Sequence, residues 1–455
     1  MGKPVHLLIF GDHASEKLPS IQDLVRQSKS SPNARRFLQE ATDVVQLEYS
    51  KISNREHGWK GSFDSLLALA EENTGNPNGM LAAVLMCIGR LGKLIVYAEN
   101  DPSVLGSTED PVEVIGFCTG LLPAAAVLAA RDTSDLLRLA PEIIRVTFRL
   151  AYEIWRRMKL VDDPYASWTE TYIGLAPDRA QAILDEFHQS QVSAAGLFVL
   201  FRFPFSHAIQ NTPTVRKVAI GIVAQNWLSL FGAPSSLARL RDWSPEIRSL
   251  PHLTTYGSGC VHTKYMPKID AAKVLADSPI LQFPIHHDKA KMACPRPSGR
   301  YESSTLGDLL GDVVNEIAHE VLSVDRTIEC CVSRLDRART VTIAALGPTS
   351  HEAALQKALK TAGIAHEMAS CEASVGREGL RGGLDSIAIV GMAGRFPENE
   401  TVEGFWQDLL AAKCHIKKVG AHAHTYTDTA PLPAWLALLL MLTSAINCAG
   451  SRKPV

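Results

Sequence analysis

The sequence predicts an α/β protein with a parallel-sheet core and a smaller α+β insertion. Three observations predict it. First, two apolar runs, HLLIF near the N-terminus and VEVI at 112–115, each end at a glycine, and the second leads straight into TGLLPAAAVLAA. Strand, tight turn and helix in that order build a parallel sheet. Second, the texture changes between about 170 and 245 to short strands alternating with short helices. Third, ASCEASVGREGLRGG (369–383) has the Gly/Ser/Ala composition of a linker, and a fresh strand–turn–helix start follows it.

The elements can be justified in order. HLLIF reads as a buried strand that enters a turn at Gly11-Asp12. Helical periodicity follows through SIQDLVRQ and ARRFLQEATDVVQLEYSKI. GMLAAVLMCIGRLGKLIVYAE (79–99) repeats apolar residues at three- and four-residue spacing, which makes it a helix. In the helix after VEVIGFC, Pro123 falls within the first turns, where a proline costs little. LAPDRAQAILDEFHQ starts as a helix at a proline and an acid. VAIGIVAQNWLSLFGAPSSLARL reads as strand, turn, strand and helix start. The chain returns to the larger domain through VHTKYMPKIDAAKVL, the helix TLGDLLGDVVNEIAHEVL, the strand TVTIAALGP and the helix HEAALQKALKTAG.

Composition sets outer bounds. The 455 residues are 46% apolar and 21% charged, with a net charge of −2, enough for two or three soluble domains. That balance offers no footprint for nucleic acid. Nine cysteines, an odd number without a CxxC pair and with no signal peptide ahead of them, suit reduced thiols in the cytoplasm. PLPAWLALLLMLTSAINCAG (431–450) is uncharged but borderline in length and broken by Thr443, Ser444 and Asn447, so a membrane anchor is not expected.

The chemistry-bearing motif is Gly116-Phe117-Cys118-Thr119-Gly120. A nucleophile raised on a strained turn leaves no room for side chains two residues either side, so both places take glycine. The following helix N-terminus would favour a thiolate, and the Thr119 N–H would face a developing oxyanion. A small buried cysteine between packing glycines is the competing reading. A thiol nucleophile needs a base, and fifteen histidines are too many for counting to choose one. His286 and His287 are adjacent, do not converge as metal ligands, and suit a solvated loop. His207 lies in an aromatic stretch with no partner signal. His262, in GSGCVHTKYMPKID, follows a glycine-rich turn that can present an imidazole to a cleft, or is a plain loop histidine.

In order, LLIFGDHAS, GFCTGLLPAAAVLAA, SWTETYIGLAPDRAQAILDEF, WLSLFGAPSSLARL, VHTKYMPKIDAAKVL and LGPTSHEAALQKAL resemble the starter-unit acyl carrier protein transacylase domain of fungal non-reducing polyketide synthases. The resemblance covers roughly residues 5–365. It implies a malonyl-transacylase-like fold: a hydrolase-like parallel-sheet core with an inserted ferredoxin-like subdomain at about 170–250, within a domain spanning 1–368. It also implies Cys118 as nucleophile, His262 as base, and an oxyanion site at Thr119 and His13. The family usually carries glutamine where this chain has His13, and a histidine there could make the site depend on pH. LFVLFRFPFSHAIQNTPTV (197–215) looks like an insertion between family blocks.

DSIAIVGMAGRFPENETVEGFWQDLLAAK is similar to the opening of a β-ketoacyl synthase domain, expected over 384–418. Residues 419–455 resemble nothing in the family and read as a frameshifted or read-through tail, so no condensing activity is expected. The resemblance implies transfer of a starter acyl group from acyl-CoA or a fatty acid synthase carrier, through acyl-Cys118, to the phosphopantetheine thiol of an acyl carrier protein. That reaction needs no metal or redox cofactor. The run after Cys118 offers no cation until Arg131, which points to a neutral acyl group. A thioesterase-like hydrolase and an inactive synthase fragment are the alternatives.

Overall fold

The computed structural model describes residues 4–11, 17–52, 62–75, 78–202, 213–255, 259–276, 278–296, 299–347 and 351–369. The chain divides into two compact units, Met1–Val375 and Gly376–Val455, and every described residue lies in the first. The expected synthase opening and tail therefore lie outside the described residues. So do His13, His207, residues 203–212 and the apolar segment 431–450.

Two sheets organise the first unit. The larger is five-stranded and parallel throughout, in the order β10-β9-β1-β2-β7. Its strands are β1 (Val5–Phe10), β2 (Val112–Gly116), β7 (Ala290–Met292), β9 (Val341–Ala345) and β10 (His366–Met368). β2 is buried along its whole length and β1 at every residue but His6. Apolar continuity of this kind is what a parallel strand covered on both faces needs. Its helices are α1 (Lys17–Gln27), α2 (Pro32–Ser50), α3 (Leu66–Gly75), α4 (Gly79–Asn100), α5 (Leu121–Ala129) and α6 (Thr133–Val161). α4 is long and apolar enough to cross a membrane, and 89% of its apolar window is buried in the protein core. Asn78 caps it, its side-chain oxygen accepting from the N–H groups of Met80 and Leu81.

The smaller sheet has the order β6-β3-β5-β4-β8. β3 (Thr169–Ile173), α7 (Pro177–Arg202), β4 (Ala219–Ala224), β5 (Trp227–Phe231), α8 (Pro234–Trp243) and β6 (His252–Thr254) follow one another as β-α-β-β-α-β. All three strand pairings among them are antiparallel, which makes the unit ferredoxin-like. Period-two alternation splits its faces. Tyr172, Leu228 and Leu230 join a second core with Leu184, Phe187 and Leu237, while Thr171, Ser229 and Phe231 turn the other way. β8 (Leu322–Ser323) adds a parallel strand to β4. It lies between α9 (Leu306–His319) and α10 (Val324–Val332), so it stitches this sheet to the larger domain. α11 (Glu352–Thr361) connects β9 to β10.

Candidate active site

Cys118 sits immediately beyond the carboxyl end of β2, where open α/β sheets place their ligands. Its φ is +52°, a left-handed value that costs a non-glycine residue roughly 1–3 kcal/mol. The surrounding backbone enforces it. The Phe117 N–H donates to the Phe10 carbonyl at 3.0 Å, and the Gly120 N–H donates to the Phe117 carbonyl at 2.9 Å. A methyl group on Gly120 would lie 2.4 Å from the Gly11 oxygen, and one on Gly116 would lie 3.0 Å from the backbone of Leu121.

His262 is fully buried and shares the anomaly, with φ +53°. The end of α9 holds it in place. Its N–H donates to the Ile317 carbonyl at 2.8 Å, and the Thr263 N–H donates to that of Ala318 at 3.2 Å. The ring Nδ1 lies 2.9 Å from the Glu320 carbonyl oxygen. A carbonyl only accepts, so Nδ1 carries the proton and Nε2 is the nitrogen that can take one. Further along the loop, the Ile269 N–H donates to His319 Nε2 at 3.0 Å.

Cys118 opens on a cavity of about 360 Å³ between α6 and the smaller sheet, and residues next to His262 line it. Cys118 and Thr119 line it, as do Val261 and Ile317 on either side of His262. The His262 ring meets Phe231, another lining residue, edge-on at a centroid distance of 6.2 Å. Leu150, Ile154, Trp155 and Met158 of α6 form an apolar wall, and among the described residues no charged side chain lines the space. Burial pushes the thiols of Cys87 and Cys294 up to about 11 and that of Cys260 to about 12, and none of the three lines the cavity.

One reading gains an addition and one needs correction. A buried cation does approach the elbow: Arg90 of α4, 2% exposed, donates from Nη1 to Thr119 Oγ1 at 3.4 Å. Arg131 instead pairs with Asp135 at 2.6 Å. His286 and His287 do lie in a loop but are only partly solvated. Both are half-buried, with the His286 N–H donating to the Leu128 carbonyl and His287 Nε2 bonded to the Ser303 carbonyl. Among the described residues no three His, Cys, Asp or Glu side chains converge as metal ligands.

Residues 8–199 match the family described as starter unit:ACP transacylase in aflatoxin biosynthesis, and 384–434 match the β-ketoacyl synthase N-terminal domain. The second match continues past residue 418, where the similarity was expected to stop. Over 409 residues the chain is 34% identical to the non-reducing polyketide synthase stmB of Aspergillus ustus, covering 89% of this chain and 19% of that protein. The chain thus spans about a fifth of the length of that relative. It is 28% identical to ascochitine biosynthesis cluster protein 8 of Didymella fabae over 80% of this chain and 91% of that protein. FabD from Acinetobacter baumannii shares the fold, with a TM-score of 0.52 at 14% identity, over 81% of this chain and 94% of that one. The α/β architecture with its inserted small sheet is the malonyl-transacylase fold.

Proposed function

We propose that this chain, which carries a domain of the starter unit:ACP transacylase family, moves a starter acyl group between thioesters through Cys118. His262 Nε2 takes the thiol proton, and the thiolate attacks the carbonyl of an acyl-CoA or an acyl-carrier thioester. The Thr119 N–H and a donor from the segment carrying His13 hold the tetrahedral oxyanion. The first thiol leaves with the proton from His262, giving acyl-Cys118. The phosphopantetheine thiol of an acyl carrier protein then attacks, and His262 again moves the proton. Exchange between two thioesters is nearly balanced in energy, so the fold has only to position and polarise.

The observation that carries this reading is Cys118 on a left-handed elbow at the wall of an apolar cavity, with His262, also left-handed, held behind that wall between the lining residue Val261 and the end of α9. Nothing in an elementary fold requires a cysteine and a histidine at such φ values, and strain of this sort collects where chemistry occurs. The uncharged lining supports a neutral acyl group. Scaled from the ~150 Å³ cavity that holds benzene, the space suits a chain of roughly six to twelve carbons. No condensing step is proposed for residues 384–434, which match only the opening of a synthase domain.

Intact mass spectrometry of the protein offered acetyl-, malonyl-, hexanoyl- and octanoyl-CoA tests the assignment. The expected result is one acyl adduct, favouring the longer neutral chains and absent from Cys118→Ala. Acylation of Cys118→Ala would remove that residue from its role. Preferential malonyl loading would overturn the neutral-chain reading, and release of free acid faster than transfer to a carrier would identify a hydrolase. His262→Ala is expected to slow loading by about a hundredfold or more.

A further inference from the structure

Away from the elbow and Thr147, the hydroxyl groups lining the cavity come from the smaller sheet and its ends. There β3 and β5 face each other with Thr171 directly opposite Ser229, and both side chains line the space. Their hydroxyl oxygens are 2.7 Å apart. Ser229 is 2% exposed, and Ile173, Trp227 and Phe231 flank the pair on the same face. Each hydroxyl has one hydrogen and two lone pairs. One hydrogen is used between the two, and among the described residues neither side chain makes another hydrogen bond. The remaining hydrogen therefore has the cavity to point into. Thr147, on the opposite wall, differs: its hydroxyl donates to the Ile143 carbonyl at 2.7 Å and is satisfied within its own helix.

A hydroxyl hydrogen without an acceptor in apolar surroundings is costly, and an acceptor brought by a ligand relieves the cost. We propose that the Thr171–Ser229 pair reads an oxygen on the acyl chain, so that the site prefers thioesters bearing a ketone or hydroxyl away from the reacting carbonyl over the saturated chain of the same length. The proposal rests on the acyl-transfer reading above and adds the substrate class. A pair kept only to hold β3 to β5 would be indifferent to the acyl group, which makes the two roles separable.

The test offers the full chain octanoyl-N-acetylcysteamine and a series of octanoyl thioesters with one ketone at successive positions. Loading of Cys118 is followed by intact mass spectrometry, and binding of the corresponding free acids by tryptophan fluorescence. At least one keto isomer is expected to load about tenfold faster than octanoyl, the worth of one net hydrogen bond. Thr171→Val with Ser229→Ala is expected to erase that ratio, and Thr171→Ser, which restores a hydroxyl, to keep it. Ser229→Ala alone supplies the same ratio if the double variant does not fold. Equal loading of every isomer, or a preference that survives removal of both hydroxyls, overturns the proposal. No loading at all, with a keto acid still bound more tightly than octanoate, overturns acyl transfer and upholds the hydroxyl reading. No loading and no binding preference overturns both.

Discussion

A methyl group on Gly120 would meet two backbone oxygens, those of Gly11 at 2.4 Å and Phe10 at 2.5 Å, and neither can rotate away. Gly120→Ala should therefore push β1 and the elbow apart and cost on the order of 3 kcal/mol. Gly116→Ala, whose nearest contacts are at 3.0 Å, should cost less. Urea titrations of both variants check the order, and an equal or reversed cost would contradict the packing argument. Arg90 is the second residue-scale case. Its bond to Thr119 Oγ1 steadies the residue whose N–H is proposed above to hold the oxyanion. Arg90→Met is expected to lower the transfer rate constant by about tenfold with little change in KM, as loss of a transition-state contact should. A change confined to KM would show that Arg90 acts on binding instead. The flanking glycines made Cys118 legible in the sequence, because the steric demand falls on fixed neighbours. Arg90 was not legible: it is 29 positions from Thr119, and only packing of α4 against the elbow joins them. His262 was chosen by family resemblance, since its distinguishing features are a φ angle and a carbonyl partner 58 residues away.

At the scale of elements, α6 decides the cavity and left the least readable trace. It runs 29 residues with Pro141 inside it, and a proline within an apolar periodic stretch argues against one continuous helix. The cap was nonetheless present in the sequence: Asp132 accepts from the Asp135 N–H at 2.8 Å. Burial of Ile143, Ile144, Phe148, Ile154 and Trp155 along one face offsets the lost hydrogen bond. The small sheet was easier to read, because alternating apolar runs joined by short turns specify hairpins locally. Its cross-strand pairs were not legible, since register is a property of two strands. The same subdomain yields a pH prediction. His188 of α7 is buried against β4, its Nε2 accepting from the Val218 N–H at 3.2 Å. Burial, with the Lys217 charge beside it, pushes its pKa down to about 4. The unfolded chain takes up this proton near the ordinary value of about 6.5. Stability from the neutral ring is therefore complete above that value and is lost as pH falls toward 4. The loss should reach about 2–3 kcal/mol, seen as a lower urea midpoint at about pH 4.5 than at about pH 7. His188→Gln, which keeps an acceptor but cannot titrate, should flatten the difference. An unchanged pH dependence in that variant would assign the acid sensitivity to other groups.

For the molecule as a whole, the question is where the working unit ends. The compact first unit runs from Met1 to Val375 and holds both sheets, the elbow, His262 and the cavity. The two sheets depend on each other. β8 joins the smaller one directly after Glu320, whose carbonyl fixes the His262 ring, and Phe231 of that sheet packs on the same ring. Removing the smaller sheet would take away both the cavity roof and one support of the imidazole, so it cannot be treated as a detachable insertion. Among the described residues, none beyond Ile317 lines the cavity. The relative from Didymella fabae, covered over 91% of its length by 80% of this chain, is consistent with a unit of about that extent. A polypeptide ending at Val375 is therefore expected to unfold in one cooperative transition and to load the same acyl groups at the same rate as the full chain. Calorimetry and the mass-spectrometric loading assay measure both properties on the same samples. Cooperative unfolding with loading lost would mean that residues after 375 contribute to the site. Failure to fold would place part of the core in the second unit. Truncation before β10 should behave otherwise, since Val341 and Ile343 would lose a neighbouring parallel strand and the Ile343 carbonyl its bond from the Ala369 N–H. The difference between those two endpoints locates the boundary to within one element, at the last strand of the parallel sheet.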